Sequence, residues 1–182
     1  MSDAKNYWYI LFARTGAEER LAKRLKANTD ESSFQPFVPQ KTCIFRRQGN
    51  KSLFQKVCFP GSVFIESNKS AMEFIERIFP MVYKQDDAYK FLNYGDKFDI
   101  AMREEERTSL RKVLGSDYSI DISKGFKDGD FVKITSGALV GNEAMILSIN
   151  KGRREAVIEI SMFGNNVSVS VGLEIIEKVF DY

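Results

Sequence analysis

The stretch that most constrains this chain is Lys56-Val57-Cys58-Phe59-Pro60-Gly61-Ser62-Val63-Phe64-Ile65-Glu66. Pro60 fixes φ and has no N–H, so it cannot sit inside a paired strand. Gly61 tolerates left-handed backbone or a close approach. The pair marks a bend. After it, Ser62 to Ile65 reads as a strand of β-branched and aromatic residues, and before it Leu53 to Phe59 reads as extended. With the two-residue period of a strand, Ser62 and Phe64 share one face and Val63 and Ile65 the other. A bend with large apolar groups on both faces suits core packing and, on one face, a partner groove. Core packing alone is the commoner use.

A second apolar run opens the chain. Tyr7-Trp8-Tyr9-Ile10-Leu11-Phe12-Ala13 is apolar or aromatic throughout, so it predicts a central strand covered on both faces. Thr15-Gly16-Ala17-Glu18 has capping-box spacing and predicts a helix start, followed by a buried stripe at Ala17, Leu21 and Leu25. The opposite face carries Arg20, Lys23, Arg24 and Lys26. Phe37 to Phe45, with Pro36 and Pro39 marking a bend, and Leu53 to Phe59 predict a hairpin with a basic tip at Arg46, Arg47 and Lys51. Ser70-Ala71-Met72-Glu73 repeats the capping-box spacing. Phe74, Ile75, Ile78 and Phe79 follow as an apolar face, and Pro80 is expected to end the helix. Met81 to Lys84 and Tyr89 to Leu92 read as short strands. A third helix is expected from Arg103 to Leu114, with Gly115 as its stop.

Beyond Gly115 the texture changes. The sequence divides into residues 1–115, a linker at 116–123, and a small β domain at 124–182. Short alternating strands at Phe131 to Ile134, Ala144 to Ile149, Glu155 to Met162 and Asn166 to Val171 predict a small β-barrel. The expected fold class is α+β, an antiparallel sheet with helices followed by that barrel.

Composition narrows the chemistry. Among 182 residues there is no histidine, and there are two cysteines, Cys43 and Cys58. Zinc-finger and histidine-dependent nucleophile schemes lose their central residue. In a reducing cytosol the cysteines read as small buried thiols. Glu104-Glu105-Glu106 lies in an arginine-rich helix and reads as solvated charge. Gly125-Phe126-Lys127-Asp128-Gly129 lacks the spacing of a phosphate loop. No catalytic residue, metal or cofactor is expected. The N-terminus has no signal-peptide core and no run reaches membrane-spanning length, so the expected location is the cytoplasm. Up to Gly115 there are 20 Lys and Arg against 15 Asp and Glu, and beyond it 7 against 10. The basic half is the one to meet nucleic acid.

These residues resemble the NusG family of transcription elongation factors. Tyr7-Trp8-Tyr9 resembles the family's N-terminal signature, as does Phe59-Pro60-Gly61 before a hydrophobic strand. Gly129-Asp130-Phe131-Val132 and Ser136-Gly137-Ala138-Leu139-Val140-Gly141 resemble the KOW motif, and Ser161-Met162-Phe163-Gly164 resembles that domain's later loop. The resemblance runs from about Tyr7 to Glu177 and implies an N-terminal NGN-type domain followed by an SH3-like KOW β-barrel. It departs at Ser62, where the family has an aromatic, and at Ala138 and Ala144, which replace a Pro and a Gly. The hairpin tip and the segment around Ser70 also depart, and point to a specialised, LoaP-like antiterminator paralog.

The resemblance implies a mechanism. The N-terminal domain would lay an apolar groove on the clamp helices of RNA polymerase through Trp8, Ile10, Phe12, Phe59, Pro60 and Phe64, promoting processive elongation. Arg14, Arg20, Lys23, Arg24, Arg46, Arg47 and Lys51 would meet RNA, such as a leader hairpin, or non-template DNA. For any single one of them a solvated surface charge is the plainer reading. Leu139, Met162 and Phe163 would dock ribosomal protein S10 or a termination factor. The alternative is a ribosomal or general RNA-binding protein that uses the KOW domain alone.

Overall fold

The apolar run at the start forms a strand, β1 (Tyr7–Ala13), at the centre of a sheet in the computed structural model of the chain. Residues 6–128 and 131–176 are described, except the side chains of Arg47, Lys127, Asp128 and Phe131. After β1 come α1 (Glu18–Asn28), β2 (Phe34–Phe37), β3 (Gln40–Arg47), β4 (Asn50–Val57), β5 (Ser62–Ser67), α2 (Ala71–Val82), β6 (Ala88–Phe91) and α3 (Glu104–Arg111). The rest is β7 (Ser119–Ile120), β8 (Ser123–Asp128), β9 (Phe131–Ser136), a 3-10 turn at Glu143–Met145, β10 (Ile146–Asn150), β11 (Glu155–Met162) and β12 (Asn165–Ile176). The chain forms two compact units that interleave in sequence. One comprises Met1–Pro39, Phe59–Arg107 and Met162–Asn165, the other Gln40–Cys58, Thr108–Ser161 and Asn166–Tyr182.

The first unit is built on an antiparallel sheet in the order β2-β5-β1-β6. Tyr9 faces Ile65 and Leu11 faces Val63 across the β1–β5 pair, so these four share one side. Phe74 of α2 stacks on Tyr9 there, with ring centroids 3.7 Å apart. Trp8, Ile10 and Phe12 take the other side with Phe64. Trp8, Tyr9, Ile10 and Leu11 are all buried, as a strand covered on both faces requires.

The helices differ from the sequence reading in instructive ways. α2 has the expected capping box: Ser70 N–H donates to the Glu73 carboxylate at 3.1 Å, and the Ser70 hydroxyl at 2.7 Å. It runs through Pro80 to Val82, so Met81 and Val82 are helical rather than extended. A proline in the last turn removes one hydrogen bond, and the next is regained where Tyr83 N–H donates to Phe79 O at 2.9 Å. α1 begins two residues later than predicted, with Ala17 rather than Thr15 at the N-cap. Glu18 is buried. One carboxylate oxygen accepts from Gly16 N–H at 2.7 Å and the other from Gly61 N–H at 2.6 Å. A single carboxylate thus ties the helix start to the Pro60-Gly61 bend, where Gly61 has φ +77°.

The second unit carries two sheets. β4-β3-β7 contains the predicted hairpin, and β10-β11-β12-β8-β9 is a curled sheet, a half-barrel. The hairpin closes at Gln48-Gly49, both with positive φ, as a two-residue turn needs. The segment read as a linker holds β7, paired in parallel with β3, and the buried Ser119, Ile120 and Ser123. Gly137 permits the turn after β9. Its φ is +91°, and a Cβ there would lie 2.3 Å from Ile122 O. Cys43 and Cys58 are free thiols, and burial pushes the Cys58 thiol up to about 12.

Removing the Glu18 carboxylate strands two partly buried amides. Glu18→Ala is expected to destabilise the fold by about 2–3 kcal/mol. The urea midpoint read from the fluorescence of Trp8, the one tryptophan, measures this. An unchanged midpoint would refute the tie.

Candidate functional site

The residues bracketing Pro60-Gly61 form an aromatic cluster on the Trp8 side of the first unit. Trp8 meets Phe37 edge-on at 5.2 Å and Phe64 at 6.1 Å, while Phe59 lies 5.5 Å from Phe64. Trp8, Ile10, Phe59 and Phe64 are buried, Pro60 is exposed, and Phe12 is half-buried. Phe12 pairs with Ser62 on one flank and Lys90 on the other, with the Lys90 ammonium 5.9 Å from its ring centroid. Sequence periodicity groups these residues correctly but does not rank their access. Phe12 and Pro60 are the accessible members, and the rest form the floor.

Two arginines of α1, with Arg14 just after β1, converge on one carboxylate. Arg20 donates to Asp87 at 2.7 Å, and Arg24 and Arg14 lie at 3.5 and 3.7 Å. Hydrogen bonding from Arg20, opposed by burial and aided by the charges of Arg20, Arg14 and Arg24, holds the Asp87 carboxyl below the usual aspartate range. Lys23 and Arg24 line a shallow exposed depression with Gly16 and Arg20. Asp87 was invisible as a site residue in the sequence, because it lies 67 residues from Arg20.

The hairpin tip repeats the device in the second unit. Lys51 donates to Glu174 at 2.7 Å, while Arg154 and Arg46 lie at 3.3 and 3.5 Å from it. The Lys51 hydrogen bond, opposed by burial, keeps the Glu174 carboxyl low, with the charges of Lys51, Arg154 and Arg46 helping. Arg47 is placed through its backbone, opposite Asn50. Its side chain lies outside the described residues.

The three residues expected to dock a second partner are buried. The Leu139 N–H donates to the Ser123 hydroxyl at 2.9 Å. Phe163 and Gly164 both have positive φ, in the two-residue turn between β11 and β12. An aromatic in left-handed backbone costs about 1–2 kcal/mol. Phe163 stacks on Tyr94 at 4.6 Å, and Gly164 N–H donates to the Glu106 carboxylate at 2.8 Å. Tyr94 also donates its hydroxyl to Glu106. Burial pushes Glu106 up, but the amides of Gly164 and Phe163 and the Tyr94 hydroxyl hold it low overall. Sequence reading had placed Glu106 among solvated charges. Gly129, Asp130 and Glu177 lie outside the described residues.

Among the described residues no group of three or more His, Cys, Asp or Glu side chains could hold a metal, and no helix is long and apolar enough to cross a membrane. The described chain is thus an α+β protein with a buried aromatic cluster beside a proline bend, two cation clusters and a curled β sheet. The family model described as "Transcription termination factor nusG" matches residues 6–111, more than half of the chain. The chain belongs to the NusG family of transcription termination/antitermination factors. It is 24% identical to the transcription termination/antitermination protein NusG of Thermus thermophilus, over 94% of this chain and 97% of that one. The NusG proteins of Borreliella burgdorferi and Pseudomonas aeruginosa are 23% and 24% identical, over 94% of this chain and 98% of theirs. A solved structure titled "Domain interaction in Thermotoga maritima NusG" is 23% identical, covers 92% of this chain and 94% of that one, and has a TM-score of 0.46. These relatives are transcription factors, not enzymes.

The depressed Asp87 carboxyl gives a test. Its contribution to stability is complete above the ordinary aspartate range, near pH 3.9, and is lost as pH falls through the lower folded value. A carbon-detected NMR titration should place the Asp87 midpoint below that of a free aspartate, and Arg20→Gln should raise it. A midpoint indifferent to Arg20 would refute the assigned cause.

Proposed function

We propose that this chain is an elongation and antitermination factor that binds RNA polymerase through residues 1–115, with 116–123 as a connector and 124–182 as a KOW domain for a second partner. The observation that carries it is the family match across residues 6–111, which includes the aromatic strand and the Phe59-Pro60-Gly61 bend. Helix-in-groove docking needs a rigid apolar floor and a few accessible anchors. Buried Trp8, Ile10, Phe59 and Phe64 supply the floor, and Phe12 and Pro60 are the anchors. Ser62, small where the family has an aromatic, leaves the Phe12 ring uncovered on that flank. This altered groove, with the unusual hairpin, supports a specialised LoaP-like paralog over a general factor.

Nucleic acid meets the cations of α1 and of the hairpin tip in this reading. Phosphate needs positive charge and little else, and the charge balance of the first 115 residues supports it. A leader RNA hairpin is the proposed recruiting element. Ribosomal protein S10 or a termination factor is the proposed second partner, through Leu139, Met162 and Phe163. All three are buried, so that docking requires their exposure.

Phe12→Glu puts a charge on the accessible anchor. It is expected to weaken binding of the full-length chain to core RNA polymerase at least about ten-fold, or 1.4 kcal/mol. Surface plasmon resonance against immobilised polymerase measures this. No binding by the unaltered chain would defeat the proposal, and full affinity in Phe12→Glu would move the anchor elsewhere.

A second test concerns the hairpin. Glu174→Gln frees Arg46, Lys51 and Arg154 from their shared carboxylate. Leader-RNA affinity should rise, and the fall of log K with log salt should steepen. An unchanged salt slope would remove the hairpin tip from the nucleic-acid contact.

A further inference from the structure

A cavity of about 410 Å³ opens in the second unit, between β3 near the hairpin tip and the turn that joins β10 to β11. Phe45 and Arg46 line it from the strand, and Gly152, Arg153, Arg154 and Glu155 from the turn. That volume is the size of a small-ligand site.

The turn is built against local preference. Gly152 does not have a positive φ, whereas Arg154 does, at +56°. The position that favours glycine thus carries an arginine. It is firmly held: Arg154 N–H donates to Lys151 O at 3.2 Å, Arg154 O accepts from Leu173 N–H at 2.9 Å, and the guanidinium lies 3.3 Å from Glu174. Backbone strain maintained at one residue points to a use for its side chain.

The arginines also keep donors in reserve. Lys51 holds Glu174 most closely, at 2.7 Å, with Arg154 and Arg46 at 3.3 and 3.5 Å. Each guanidinium carries several N–H donors, and one shared carboxylate cannot satisfy them all. Arg153 is exposed, and among the described residues its side chain makes no ion pair. In the lining, three guanidinium groups stand against the single carboxylate of Glu155, a surplus of positive charge.

These groups select the occupant. Guanidinium forks match phosphate oxygens two at a time. A bare polyphosphate fits poorly, because its oxygens only accept and Glu155 needs a donor. Ribose hydroxyls supply one. Phe45, 52% exposed, offers a flat face to a base. Phosphate, sugar and base each find a group of matching chemistry in one wall.

We propose that this cavity binds a free nucleoside diphosphate, with its phosphates between Arg46, Arg153 and Arg154, its ribose at Glu155 and its base on Phe45. This goes beyond the function proposed above, because the occupant is a small molecule rather than a strand.

The test is isothermal titration calorimetry of the full-length chain with ADP, GDP, inorganic pyrophosphate and adenosine, and circular dichroism confirms that each variant is folded. ADP and GDP should bind alike, since stacking accepts either base, and roughly ten-fold or more tightly than pyrophosphate. Adenosine should show no binding. Arg153→Ala, at an exposed side chain, should weaken ADP and pyrophosphate together by about ten-fold. Phe45→Ala should bring ADP down to the affinity of pyrophosphate and leave pyrophosphate unchanged. Pyrophosphate bound as tightly as ADP, with Phe45→Ala indifferent, would mean a plain anion site and overturn the nucleotide assignment. ADP binding untouched by both substitutions would place the nucleotide elsewhere and overturn the site. No binding by any ligand would overturn it as well, and would leave standing the leader-RNA reading, which the Glu174→Gln salt slope tests separately.

Discussion

The first unit depends on burying one strand on both faces. Tyr7 to Ala13 has no polar side-chain group except the tyrosine hydroxyls and the Trp8 indole N–H, so neither face can be left to water. One face is closed by Phe74 of α2 stacking on Tyr9, whose hydroxyl donates to Lys69 O at 2.7 Å. That places the start of α2 over the sheet. The other is closed by Phe37, Phe59 and Phe64 around Trp8. The same demand for cover that makes a core therefore assembles the aromatic floor beside the bend.

A floor is useful only if its edge is fixed. Ala13 N–H donates to Gly61 O at 2.9 Å while Glu18 accepts from Gly61 N–H, so both polar groups of Gly61 are committed. Pro60 removes further freedom by its ring. The bend is held by the strand end on one side and the helix start on the other. Phe12, the proposed anchor, lies one residue before Ala13, and a side chain that is already ordered would lose little entropy on binding.

Much of this was legible in residue pattern alone. The α+β class, the covered first strand, the hairpin, the capping box at Ser70 and the curled β domain follow from periodicity and turn chemistry, which are local. What was not legible is tertiary. Thr15 to Glu18 has the spacing of a capping box, but burial makes Glu18 a bridge to Gly61, 43 residues away. Pro80 reads as a helix stop because the local rule cannot see that one lost hydrogen bond is tolerable in a last turn. Phe79 falls on the apolar stripe, yet only the packing of Phe74 and Ile78 determines which half of that stripe is covered. Arg46 and Lys51 read as a free basic tip because their carboxylate lies 123 residues beyond Lys51.

Both cation clusters share one arrangement, three cations around one carboxylate. Asp87 gathers Arg14, Arg20 and Arg24, and Glu174 gathers Arg46, Lys51 and Arg154. The carboxylates are largely covered while the cations reach into water, and three like charges around one carboxylate repel one another. What three-to-one adds is a net positive charge carried on side chains whose rotamers are already restricted. Long flexible cations normally lose substantial entropy on meeting a phosphate. Here part of that ordering has occurred in the free chain, and in the proposed function the uncompensated charge would serve to attract a polyanion.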